Sequence, residues 1–170
     1  ICTSRTYQLA TKTNESNESD DRNFSHGTLR RIRAEILLDC ISQVTGTRNK
    51  FRGLPLGSRA VQIADGATSN YFLSTFGRAK RETVCSCEVT MEPNLSQALH
   101  LLNGNNVSQR IQQGGLIPKR LKEKKTPMQI IEEIYMRALS RRPTEKEIET
   151  LRKFTDASEN KQEVLEDVFW

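Results

Sequence analysis

The sequence predicts a mainly α-helical fold: an irregular helical domain with long loops, one short β segment, and a helical hairpin or three-helix unit at the C-terminus. Three observations predict it. Apolar residues recur at helical spacing between Arg31 and Thr45, and again in three capped segments after Thr126. The first half is broken by Gly, Pro, Asn and Ser into long irregular stretches. At 170 residues with 35% hydrophobic and 6% aromatic content, the chain can fill a modest core of the size one domain needs. We therefore expect residues 1–170 to be a single domain, with 1–30 as an extended polar loop, 31–115 as a helical core around a central Cys-x-Cys loop, and 126–170 as a helical unit. Ile1 is not an initiator residue and Trp170 ends the chain inside an apolar pattern, so the expectation is a C-terminal fragment of a larger protein.

From Ile1 to Gly27 the chain is rich in Asn, Ser, Thr and Asp, and apolar spacing stops at Leu9, which reads as a loop pinned by Tyr7 and Leu9. Arg31–Thr45 is the first helix. Ile32, Ile36, Leu37, Cys40, Ile41 and Val44 form its expected buried stripe, and Gly46 its C-cap. Gly53, Pro55 and Gly57 then mark a loop, Arg59–Ile63 reads as a short strand, and Asp65-Gly66 as a turn. A short helix is expected over Ser69–Phe76, ended by Gly77.

Arg78 to Glu92 is a charged patch around Cys85 and Cys87. Beyond it, Asn94 caps a helix over Leu95–Asn103 whose expected buried face is Leu95, Ala98, Leu99 and Leu102, with His100 off that stripe. Short helices follow at Val107–Gln112 and Pro118–Lys124. Thr126 with Gln129 and Thr144 with Glu147 are capping boxes, each opening an apolar row: Ile130, Ile131, Ile134, Tyr135 and Ala138 in one, Ile148, Leu151 and Phe154 in the other. Asn160 with Glu163 opens a last helix that turns Val164, Leu165, Val168 and Phe169 inward. Short connections make these three helices packed neighbours.

The formal charge is +5. A basic balance suits an anionic polysaccharide or an acidic partner. Nucleic acid is not expected, because aromatics for base stacking are absent between Phe76 and Tyr135, and Lys119–Lys125 reads as a solvated helix face. No apolar run approaches the roughly 20 residues that span a membrane. Hydrolase signatures and a phosphate-binding glycine loop are missing, so an enzyme is not the leading reading for this segment.

Cys85-x-Cys87 offers two thiolates for a metal or a disulfide, but a structural zinc site takes four ligands, and His26 and His100 lie far off in sequence. A haem attachment would need Cys-x-x-Cys-His, so no cofactor is assigned. Cys2 and Cys40 are candidates for a disulfide in an oxidising compartment. Arg78, Lys80, Arg81, Glu82 and Glu88 either hold their own loop together or form an anion-binding notch, since the Arg fork fits carboxylate and sulfate.

The runs TFGRAKRETVCSCE and PNLSQALHLLNG, together with SRTYQLATKTNESNESDDRNFS, RRIRAEILLDCISQVTG and LSRRPTEKEIETL, occur in one order. They resemble the C-terminal domain of large planctomycete proteins, domain-of-unknown-function family 1553; Arg33 and Cys40 depart from that pattern. The resemblance implies no established activity. It implies an exported setting, periplasmic or cell-surface, at the end of a multi-domain chain. The expectation is a domain of unknown function serving as a non-catalytic interaction or ligand-binding module. Its partners would be other domains of the same chain or another protein, with the Arg78–Glu88 loop as the surface. The alternative is part of an enzyme or redox assembly with a metal at Cys85 and Cys87.

Overall fold

The computed structural model describes residues 1–20, 22–29, 31–66, 68–83, 89, 92–102 and 105–170, the last span without the side chains of Asn105 and Asn106. The chain divides into two compact units, Ile1–Ile32 and Arg33–Trp170.

The first unit is a set of turns. Asp20 accepts from the backbone N–H groups of Arg22 (3.1 Å) and Asn23 (2.8 Å), and Gly27 N–H returns to the Ala10 carbonyl at 2.9 Å. Hydrogen bonding, first from the Ser25 hydroxyl and then from Asn23, holds the Asp20 carboxyl at about 2. Short polar side chains satisfy the backbone here in place of regular structure.

The second unit is helical, and no strand occurs among the described residues. Its helices are α1 (Ala34–Thr45), α2 (Tyr71–Thr75), α3 (Leu95–Leu102), α4 (Asn105–Gly114), α5 (Leu116–Lys122), α6 (Pro127–Leu139), α7 (Glu145–Ala157) and α8 (Lys161–Phe169). The strand expected at Arg59–Ile63 is a 3-10 turn over Ala60–Gln62 instead. The cause lies in α1: the Asp39 carboxylate accepts from the N–H groups of Ala60 (2.6 Å) and Val61 (3.3 Å), as an N-terminal cap supplied from another helix. Those donors are then unavailable to a ladder.

The same bond sets the face of α1. Ala34, Leu38, Asp39, Ser42 and Thr45 point inward, whereas Ile36 and Cys40, expected on the buried stripe, are exposed. Burying Asp39 and Ser42 with their hydrogen-bond partners rotates the helix away from its most apolar stripe. Arg33, at the N-cap, makes no side-chain capping bond. Around this helix Ala34, Leu38, Phe51, Ala60, Ile63, Phe72 and Leu73 form one core.

A second core gathers Ile111, Leu116, Ile117, Ile130, Ile131, Ile134 and Leu165. Both capping boxes form as expected, at Thr126/Gln129 and Thr144/Glu147, and the Asn160 side chain accepts from Glu163 N–H. α8 packs on α4, α5, α6 and α7, while α4 also packs on α1 and α3. α4 thus links α1, which carries part of the first core, to the second core through Ile111. Phe154 is exposed rather than inward, because Thr155 takes the buried position on α7.

Glu133 ties α5 to α6. Its carboxylate receives Nε (2.7 Å) and Nη2 (2.6 Å) of Arg120, with Lys125 at 3.2 Å and Arg137 at 3.3 Å. The Arg120 bonds above all, and then Lys125, pull Glu133 from its ordinary 4.5 down to about 2. Arg141 does the same to Glu147, also to about 2. A depressed carboxylate stabilises the fold above its unfolded pKa and loses that contribution as pH falls toward the folded one. Stability should therefore hold from neutral pH to about 4.5 and decline from there toward about 2. Urea midpoints measured at pH 7, 4.5 and 2.5 check this, and Glu133→Gln should flatten the decline.

Candidate functional site: a basic pocket at the end of the first helix

Arg78, put forward from sequence, is turned into the fold. Beyond the Phe76 C-cap of α2 the chain turns at Gly77 (φ +80), and the guanidinium that follows reaches back to the carbonyls of Ile63 (3.3 Å), Asp65 (2.7 Å) and Thr68 (3.3 Å). Its Nε lies 3.4 Å from Glu35, an ion-pair contact without hydrogen-bond geometry. The side chain is 4% exposed. Arg81 donates to the Ala64 carbonyl at 2.6 Å, and Gly66 lies so close to the Lys80 carbonyl that a Cβ would sit 1.8 Å from its oxygen. Arg78 and Arg81 thus clamp the 63–68 loop, leaving Lys80, Arg81 and Glu82 at the surface. Glu88, Cys85 and Cys87 lie outside the described residues, as does the metal or disulfide expected there. Cys2 in the first unit and Cys40 in the second each present a free, exposed thiol. Among the described residues no three His, Cys, Asp or Glu side chains are grouped to hold a metal ion.

A different arginine faces a pocket. α1 ends with Gly46 in the left-handed region (φ +75), and the chain doubles back through Thr47 and Asn49, whose carbonyl receives Gly57 N–H at 2.8 Å. α4 lies against this turn because Gly114 has no side chain: a Cβ there would be 1.8 Å from the Thr45 carbonyl oxygen. One turn earlier on the same face of α4 stands Arg110. Its Nη1 donates to Ser42 Oγ (2.9 Å) and Thr47 Oγ1 (3.1 Å), and its Nη2 to Asn49 Oδ1 (2.9 Å). All three acceptors are neutral.

Arg59, Arg78, Arg120, Arg137, Arg141 and Arg142 each have a carboxylate within ion-pair distance, whereas Arg110 has none among the described residues. Burial pushes its pKa down, the mark of a desolvated cation. The C-terminal end of α1 offers only partial negative charge in return. Beside Arg110 opens a cavity of about 170 Å³. Arg48 and Lys50 are its other cations, the amides of Asn49, Asn70, Gln109 and Gln113 line it together with Thr47 and Phe51, and no acidic residue is among them. Asn70 accepts Leu73 N–H through Oδ1 to cap α2, which leaves its amide nitrogen as a donor.

Sequence reasoning missed this site, though a signal exists: residues 93–122 contain no Asp or Glu. A cation in the middle of that run, as Arg110 is, has no carboxylate within reach along its own helix.

A family model described as a protein of unknown function (DUF1553) matches residues 1–155. The chain belongs to the DUF1553 family. No curated protein and no solved structure matches it. No helix of this DUF1553 chain, among the described residues, is long and apolar enough to cross a membrane.

This DUF1553 chain also shows an apolar surface on α3. Leu95, Leu99 and Leu102, expected inward, are 73%, 46% and 66% exposed. The helix docks by its other side, where Gln97 donates to the Thr75 carbonyl at 3.1 Å and His100 meets the rings of Tyr71, Phe72 and Phe76 at 5.4–5.8 Å. Cys40 lies beside a second apolar feature, a cleft lined by Ile41, Val44, Val107, Ile111 and Phe169.

Proposed function

We propose that this chain is a non-catalytic module that holds an anionic group of a ligand or partner, with Arg110, Arg48 and Lys50 as the recognising cations. One observation carries the reading: a half-buried arginine without a carboxylate among the described residues opens onto a cavity lined by cations and amides. A desolvated charge of this kind is costly until it is paired, so an incoming anion gains the full benefit of pairing. The cavity is smaller than the roughly 300 Å³ at which whole-ligand sites begin. It suits an end group or side group of something larger, such as an acidic polysaccharide or a protein's acidic residue. The exposed leucines of α3 favour a second role alongside it, docking of a neighbouring domain or protein partner. The setting proposed is an exported multi-domain protein, an inference that rests on the family resemblance.

The test is an anion titration followed by amide NMR at constant ionic strength. Signals of Thr47 to Lys50 should shift, and Arg110→Met should weaken binding by about tenfold or more while leaving the fold intact. Bound anion should also raise the unfolding temperature of the wild-type protein alone. Unshifted signals, or equal binding by Arg110→Met, would sink the proposal.

A further inference from the structure

The hydrogen bonds around Arg110 determine which part of it is left for a ligand. Nη1 uses both of its hydrogens, one on Ser42 Oγ and one on Thr47 Oγ1. Asn49 Nδ2 donates to the same Ser42 Oγ at 2.8 Å while Asn49 Oδ1 accepts from Nη2 at 2.9 Å. Arg110, Ser42 and Asn49 therefore close a ring through Nη1 and Nη2 of the guanidinium, which takes one Nη2 hydrogen. Of the fork's five N–H groups, the two not engaged are Nε–H and the second Nη2–H. Nε and Nη2 together form one edge of the fork.

The same edge is in use elsewhere in the chain. Arg120 presents Nε and Nη2 to the two oxygens of Glu133, at 2.7 and 2.6 Å. That contact shows what an Nε/Nη2 edge takes when a partner is at hand: a planar, singly charged group with two oxygens in line with two N–H bonds.

Resting on the anion-binding reading above, we propose that the group bound at Arg110 is a carboxylate, gripped side-on by Nε and Nη2. Two properties of the pocket favour it over tetrahedral oxyanions. One half-buried positive charge balances one negative charge, whereas a divalent anion brings a second that the exposed Arg48 and Lys50 screen only weakly. Two fixed charged donors also match two oxygens. A sulfate or phosphate group keeps at least one further oxygen, which must be desolvated against neutral amides. Arg48 and Lys50 steer the anion toward the pocket, and the Arg110 edge selects it.

The experiment follows the Arg110 Nε–Hε resonance in the 15N-labelled chain at constant ionic strength. Acetate is titrated against methanesulfonate, which has the same charge on a tetrahedral head. Acetate should move Nε–Hε downfield to saturation and bind about tenfold more tightly than methanesulfonate. Arg110→Lys, which keeps the charge but loses the fork, should bring the two anions to equal affinity. A hexuronate and an N-acetylated glutamate, run in parallel, carry the same group and tell a sugar source from a peptide source by which gains over acetate. Equal or tighter binding of methanesulfonate overturns the carboxylate assignment. So does an unmoved Nε–Hε signal while Thr47–Lys50 amides shift, and in both cases anion binding itself stands. If neither anion shifts any signal of residues 47–50 or 110, the anion-binding reading falls as well.

Discussion

Arg78→Ala should cost about 3–5 kcal/mol of stability, the range for breaking a buried ion pair by removing one partner. The guanidinium serves three carbonyls, those of Ile63, Asp65 and Thr68, and stands 3.4 Å from Glu35 in the first turn of α1. Truncation leaves Glu35, only 18% exposed in its side chain, without this cation, and removes a donor from each of the three carbonyls. Arg78→Lys keeps the charge. A single ammonium cannot reach both Glu35 and three carbonyls spread over six residues, so about 1–3 kcal/mol should still be lost. Glu35→Gln separates the two contributions: if the carbonyl clamp dominates, it should cost about 1 kcal/mol. Urea unfolding of the three variants gives the ranking, with hydrogen exchange at 63–82 reporting whether the loop itself loosens. A loss under about 0.5 kcal/mol for Arg78→Ala, the range of an ordinary surface substitution, would mean that the clamp is dispensable and Arg78 is kept for a ligand.

The helices after Thr126 are legible in the sequence because their signals are local. Thr126 with Gln129, Thr144 with Glu147 and Asn160 with Glu163 each place cap and acceptor three residues apart, and each apolar row follows directly. The orientation of α1 is not local. Asp39 finds its donors 21 and 22 residues away, and Ser42 meets Arg110 68 residues away. From sequence these look like surface residues beside a good apolar stripe, so the stripe points inward in the reading and partly outward in the fold. α3 repeats the lesson: Leu95, Leu99 and Leu102 form the obvious face, but Gln97 and His100 have the partners. For the candidate site, an arginine fork for an anion is legible in the sequence, but the surroundings of each arginine are not. Arg78 and Arg110 are equally polar letters. What separates them is that one folds onto Glu35 and backbone carbonyls while the other is held by neutral hydroxyls and an amide.

Gly114→Ala should disable the pocket without touching any residue that lines it. The added Cβ would lie 1.8 Å from the Thr45 carbonyl oxygen and 2.9 Å from its carbon, both backbone atoms at the end of α1. A clash with backbone is not relieved by a rotamer change, so α4 has to lift from α1. Overpacking of this kind costs about 3 kcal/mol, or roughly 10 °C in unfolding temperature for a unit of this size. Arg110 sits one turn before Gly114 on the same face, so lifting α4 stretches its bonds to Ser42, Thr47 and Asn49 together. Stability and anion affinity should therefore fall in the same variant. Gly115→Ala is the control: Gly115 caps α5 at φ +61 with open space around it, so substitution brings only left-handed backbone strain of about 1–2 kcal/mol and leaves Arg110 in place. Calorimetry and the acetate titration on both variants decide the matter. Wild-type affinity in Gly114→Ala would show that the pocket forms without close packing of α4 on α1, and that something other than this contact positions Arg110. Loss of affinity in Gly114→Ala with retention in Gly115→Ala would tie the pocket to that one contact.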